Sequence, residues 1–307
     1  MKALLATELR RMLHRPLVRA IAAAVLLAAA AAGGSLLFTS QKDTVAHIRV
    51  LETQYRSTLQ RCETAGFNLP AMPSANAAAR REFCVDEAVP APPFTFHLTQ
   101  LKEVFEGAGF KGSAAAFVIL GFLVGATLIG AEWQSGNMAT LLGWEPGRLR
   151  VHAAKAFLPA AVVAIAVVAG EIVLGGALTP AAAFRGTTEG VNAAWLLDVA
   201  GVAFRVAVVS ALAAIAGASI AMIGRNTAAA LGAGFVYALV EVLIRGFDNP
   251  AWQRWLVGEN AAIFVTARAP VPPGTGFSPS IALLLLVLYV GSIVVAAAVS
   301  FLRRDAA

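Results

Sequence analysis

The sequence predicts an all-α polytopic membrane protein with six transmembrane helices, and three observations carry that expectation. Charged residues make up only 14% of the 307-residue chain and hydrophobic ones 58%, against about 25% charged in a soluble domain. The mean hydropathy is +0.72, and the apolar residues gather in six runs, 16–38, 112–131, 156–178, 194–223, 227–246 and 281–302. Each reaches or exceeds the ~20 residues that cross a bilayer as a helix. The runs are blocks of Ala, Val and Leu, without the short alternating segments and polar lumen of a membrane barrel.

In chain order, residues 1–15 come first. Leu5, Leu9, Met12 and Leu13 share one helical face, with Glu8, Arg10, Arg11 and Arg15 away from it. That pattern describes a helix lying in the membrane interface, and an ordinary basic flank is the alternative. Basic residues before an apolar run also mimic a secretion signal. The run continues through Leu36, Leu37 and Phe38 and more spans follow, so an uncleaved anchor is expected.

Residues 39–111 form the largest piece between spans. Val45, Ile48, Leu51, Tyr55 and Leu59 recur at helical spacing, as do Leu98, Leu101 and Phe105. Between them a Pro/Ala-rich stretch holds Cys62 and Cys84, the only two cysteines. A bridge between them is expected, two free thiols or a metal pair being the alternatives; no histidine cluster supports metal. Gly107-Ala108-Gly109-Phe110-Lys111-Gly112 matches G-x-G-x-x-G. That fingerprint needs a preceding strand and a following soluble helix, so a hinge into the second span is the better account.

Within the spans, Gly121-x-x-x-Gly125 offers a close-packing face, and Pro159 is the only proline well inside a span. The fourth run is long enough to tilt, or to break near Asp198. Glu171, Arg205, Glu241 and Arg245 are ionisable residues at membrane depth, where charge is costly and usually faces a partner or a cavity. Glu241 and Arg245 are spaced to pair along one helix. Two readings stand for the set: a polar lining to a pathway, or a structural Glu171–Arg205 pair with the others reaching to the interface.

Lys and Arg mark the cytoplasmic side of a membrane protein. Lys2, Arg10, Arg11, Arg15 and Arg19 precede or open the first span, and Arg148, Arg150 and Lys155 lie between the second and third. Arg225 lies between the fourth and fifth, and Arg303 and Arg304 adjoin the tail, 303–307. If the spans alternate, all fall on one side, so both termini are expected in the cytoplasm and 39–111 and 247–280 outside. The net charge of +6 then reflects topology and anionic lipid headgroups rather than nucleic acid. His14 and His152 fall on one side and His47 and His97 on the other, with no nucleophile motif or H-E-x-x-H helix joining them. No G-x-x-x-x-G-K-[ST] occurs, so no enzyme is expected in this chain.

The charged segment 132–150 is the strongest lead to function. Glu132-x-x-x-Gly136, then Leu141-Leu142, Pro146-x-Arg148 and Ala154-Lys155, resembles the connection between the second and third spans of ABC-2 type transporter permeases. The six-span layout, the amphipathic N-terminus and the stretch Asn249-Pro250-Ala251-Trp252 through Asn260 are similar to the same family. The resemblance covers most of the chain except the insert 39–111.

It implies a permease without ATPase activity, paired with a separate nucleotide-binding subunit that holds ATP and magnesium, and with a second permease copy. Glu132, Trp133, Gln134, Gly136, Leu141, Leu142, Pro146 and Arg148 would belong to the coupling helix that meets the ATPase. Leu5, Leu9, Arg11 and Met12 would belong to the connecting helix beside it. Membrane lipid is the remaining partner, the bacterial cell membrane the expected location and export the default direction.

The residues of the segment agree: Glu132, Trp133 and Gln134 offer charge, an aromatic anchor and hydrogen bonds to a soluble partner. A plain positively flanked loop would not need two tryptophans and a Met138/Leu141/Leu142 face. An ion-gradient-driven transporter and a non-transport assembly subunit are the rival classes.

Overall fold

Apolar helices long enough to cross a bilayer organise the molecule. The structure, a computed structural model, describes residues 9–10, 12, 14–40, 45–64, 84, 99–106, 110–144, 147–188, 190–247, 249–267 and 276–303. Among these, six helices have the length and composition of membrane spans: α1 (Pro16–Thr39), α4 (Phe110–Gln134), α6 (Arg148–Arg185), α7 (Ala193–Gly224), α8 (Thr227–Gly246) and α11 (Pro279–Arg303). Shorter helices fill the connections: α2 (Val45–Thr64), α3 (Leu101–Glu106), α5 (Asn137–Trp144), α9 (Pro250–Gln253) and α10 (Val257–Thr266). A two-residue parallel ladder, β1 (Thr99–Gln100) on β2 (Gly186–Thr187), is the departure from helix.

Each sequence-predicted span lies inside one of the long helices. The third is longer than its apolar run, at 38 residues or roughly 57 Å at 1.5 Å per residue. A hydrocarbon layer of ~30 Å leaves both of its ends outside. The fourth runs unbroken through Asp198, which is exposed. A lone exposed carboxylate leaves the backbone ladder intact, so of the two alternatives, a tilt or a break near Asp198, the break does not occur.

Lipid tails supply no hydrophobic drive for helix association, so close backbone approach carries the packing. The Gly121-x-x-x-Gly125 face does this. A Cβ at Gly121 would meet the Ser210 carbonyl, one at Gly125 the Ala214 carbonyl, and one at Gly217 the Phe122 carbonyl. These contacts bind α4 to α7. Gly33 of α1 lies as close to Ala177 of α6. Around these contacts a core of Phe117, Val163, Val167, Val206 and Leu286 is buried.

The helix ends sort into two sets. One, the basic end, joins the start of α1, the end of α4, the start of α6, the end of α7 and the end of α11 through side-chain contacts. At the far end, Arg185 donates to the carbonyls of Leu37 (2.7 Å) and Ser40 (3.3 Å), satisfying the last turn of α1. Phe105 of α3 meets Trp195 edge-on, ring centroids 5.4 Å apart. Asn249 caps α9, its side chain accepting the Ala251 N–H, with Pro250 at the first helical position. The buried Asn260 amide donates to the Arg254 and Leu256 carbonyls.

Cys62 and Cys84 are disulfide-bonded, with Tyr55 and Leu59 of α2 packed against them. Leu98 lies outside the described residues, as do Gly107 to Gly109; α4 begins at Phe110.

Two outcomes are expected from this packing. Gly125→Val should destabilise the α4–α7 pair by about 1–3 kcal/mol, the usual cost of overpacking, read as a lower melting temperature in detergent. Replacing Cys62 and Cys84 by serine should remove roughly 3 kcal/mol of loop-closure stabilisation. Hydrogen exchange over residues 45–64 should then accelerate while the spans keep their protection.

Candidate functional site

At the basic end, three charges from three elements meet in a largely dry place. Glu132 stands in the last turn of α4, Lys155 in the second turn of α6, and Arg15 is the N-cap residue just before α1. The Lys155 ammonium lies 2.6 Å from Glu132 Oε2, and the Arg15 guanidinium 3.2 Å from Oε1. The Arg15 guanidinium also donates to the Leu128 carbonyl at 3.3 Å, a favourable place for a cation near a helix C-terminus. Side-chain exposure is 7% for Glu132, 5% for Lys155 and 27% for Arg15, so the carboxylate depends on its partners rather than on water. Met12 is buried and lines a small neighbouring niche with Leu128, Ile129, Ala154 and Leu158.

Trp133 carries the junction across to α7 and α11. Its indole N–H points to Met222 Sδ at 3.4 Å, its ring meets Phe301 edge-on, and the Arg225 guanidinium lies 4.9 Å over its face. A cation over an indole face is attracted by the ring quadrupole. Arg225 itself sits in the left-handed region at φ 53°, in the tight turn between α7 and α8, with Asn226 capping α8 through the Ala229 N–H. Arg148 donates to the Phe301 carbonyl at 3.4 Å, at the end of α11.

Beyond the junction the chain turns sharply. Gly136 has φ 73°, a conformation a glycine adopts without steric cost, and it separates α4 from α5. Met138 is fully buried against a cluster that includes Ile129, Val151 and Met222, and Leu141 and Leu142 pack half-buried against the same cluster. The other face of the turn and of α5 is exposed: Gln134, Asn137, Thr140 and Trp144, the last 86% accessible. Leu149 and Arg150 are exposed in the first turn of α6.

This arrangement redistributes the coupling residues read from the sequence. Glu132 and Trp133 do not stand on the outer face; they face inward, because Arg15, Lys155, Met222 and Arg225 converge on them. Arg148 is likewise turned to Phe301. Gln134 and Gly136 are exposed, Leu141 and Leu142 form the inner side of α5, and Pro146 lies outside the described residues. Of the connecting-helix residues, Met12 is buried and Leu9 exposed, while Leu5 and Arg11 lie outside the described residues. Asn137 and Thr140 were not singled out by the sequence reading, since short polar residues carry no motif signal of their own.

The intramembrane residues separate into independent sites. Glu171 is buried on α6 and accepts a hydrogen bond from the Ser113 hydroxyl at 3.0 Å. Arg205 of α7 donates instead to the Val265 carbonyl at 3.1 Å, in the last turn of α10. The alternative Glu171–Arg205 pair is therefore not formed: Glu171 faces α4, and Arg205 faces the far-end connection. Glu241 and Arg245 do pair, at 2.9 Å, and Glu241 also accepts the Gly258 N–H at 3.2 Å. Among the described residues, no group of three His, Cys, Asp or Glu side chains is placed to hold a metal. His152 is buried beside Phe301, and His14 is exposed.

A scan against protein-family models, a search of curated proteins and a search of solved structures each return no match.

The ion triad makes its own prediction. Lys155→Met should destabilise the fold by about 3–5 kcal/mol, because it strands much of a buried negative charge. Adding Glu132→Gln should return a large part of that loss, and a double-mutant cycle in detergent melts measures the coupling.

Proposed function

We propose that this chain is the membrane-spanning permease subunit of an ATP-driven transporter of the ABC-2 type, working as an exporter in a bacterial cell membrane. A nucleotide-binding ATPase subunit and a second permease copy complete the assembly. The observation that carries this reading is α5 itself. A short helix with an exposed Asn137/Thr140/Trp144 face, adjoined by exposed Gln134 at the end of α4, is anchored from behind by Met138, Leu141 and Leu142, and follows a junction that ties together α1, α4 and α6. A docked soluble subunit would bear on that face, and its push or pull would pass through the junction into several spans at once.

The two ends of the bundle support the orientation. Arg15, Lys155, Arg148 and Arg225 gather at one end, the composition of a cytoplasmic face. The disulfide lies in the connection from the far end of α1 to the far end of α4, and disulfides persist on the oxidising side. An exposed tryptophan is also a typical anchor for a protein partner.

Co-purification with candidate cytoplasmic ATPase subunits tests the proposal. The wild-type chain is expected to bring down one such subunit and to support its ATP hydrolysis in vesicles. Trp144→Ala combined with Thr140→Arg should reduce the retained ATPase at least tenfold while leaving the melting temperature of the permease unchanged. If no ATPase associates, an ion-gradient-driven transporter or an assembly subunit becomes the better account.

A further inference from the structure

A crevice of about 320 Å³ opens between α1, α4 and α8 near the basic end. Thr127, Leu128 and Ala131 of α4 form its floor, Val18 of α1 one wall and Thr227 of α8 the other, with Arg15 at its mouth. The Thr127 hydroxyl is spent on its own helix, donating to the Leu123 carbonyl at 2.6 Å, so the floor presents carbon. Among the described residues, no carboxylate lines the crevice. It lies on the side of the bundle where α8 is almost wholly exposed, with Ala230 its one buried residue.

Among the described residues, the charges at and beside the mouth are unbalanced. Arg15 uses two of its five N–H donors on Glu132 and Leu128, and its side chain remains 27% exposed. Arg19 follows one turn later, inside the stretch with the composition of a membrane span. It is exposed and has no ion-pair partner among the described residues. A guanidinium at that depth is costly unless it meets an anion at the interface.

We infer that this crevice holds an anionic phospholipid, its phosphate between Arg15 and Arg19 and an acyl chain along Val18, Thr127 and Ala131. Basic pockets between membrane helices take acidic headgroups in this manner, and the carbon-lined floor suits a chain rather than a soluble anion. The site does not depend on which class of membrane protein the chain belongs to.

Native mass spectrometry of the purified chain, titrated with phosphatidylglycerol or phosphatidylcholine, tests this inference. One phosphatidylglycerol is expected to stay bound in preference to phosphatidylcholine. Arg19→Gln should lower its retention about fivefold, the worth of one basic residue near anionic lipid, whereas Arg19→Lys should keep most of it. Ala131→Phe, which fills the crevice, should lower retention of either lipid. Because the Arg19 side chain is exposed and forms no ion pair among the described residues, its variants stay informative if Ala131→Phe does not fold. Equal retention of the two lipids, or an unchanged preference in Arg19→Gln, would overturn the inference. So would efficient cross-linking of Thr127→Cys to the same position of a second copy, which would show the crevice closed by protein.

Discussion

A carboxylate buried at the end of a membrane helix has to be matched, and the way Glu132 is matched organises the basic end. Each of its oxygens meets one cation, and the cations come from different elements: Lys155 from α6 and Arg15 from the residue before α1. Removing either would leave charge in a place with little water. The start of α1, the end of α4 and the start of α6 are therefore held in one relation. Because Gly136 follows within a few residues, α5 inherits its position from that relation, and Trp133 extends it to α7 and α11.

The rest of the bundle follows from membrane packing. Glycines let α4 and α7 approach backbone to backbone, and Gly33 does the same for α1 and α6. The helix α8 is attached differently. It is held along one side, by Thr227 against Gly130, by Gly234 against the Phe122 ring, and by Tyr237 and Glu241 accepting the N–H groups of Val257 and Gly258. On the other side it offers Phe235, Val236, Leu239 and Val242 to its surroundings, as a helix bathed in lipid or covered by a neighbouring chain would.

Much of this was legible in the sequence, for identifiable reasons. Span length and apolar composition are one-dimensional properties, so the six runs map onto six helices. The Glu241–Arg245 pair follows from spacing along one helix, and two cysteines in a single connection leave one intramolecular partner each. The partners of Glu132 were not legible, because Arg15 lies 117 positions earlier and nothing local links them. A glutamate beside a polar turn reads as surface until the neighbouring helices are placed. Glu171 and Arg205 illustrate the same gap: depth along a helix can be counted, but the direction a residue faces around the bundle is set by packing. At the candidate site, the resemblance led to a short helix over Glu132 to Leu142, whereas the span runs on to Gln134 and α5 starts only at Asn137; neither that break at Gly136 nor the division of residues between an inner and an outer face was readable.

The most direct test of the account is site-specific photocross-linking in living cells from a benzoylphenylalanine placed at Thr140, on the exposed face of α5. The account predicts a cross-link to a cytoplasmic nucleotide-binding subunit, absent when the probe is placed at Leu231, an exposed residue of α8. Cross-links only to lipid, or to a protein without a nucleotide-binding site, would contradict it.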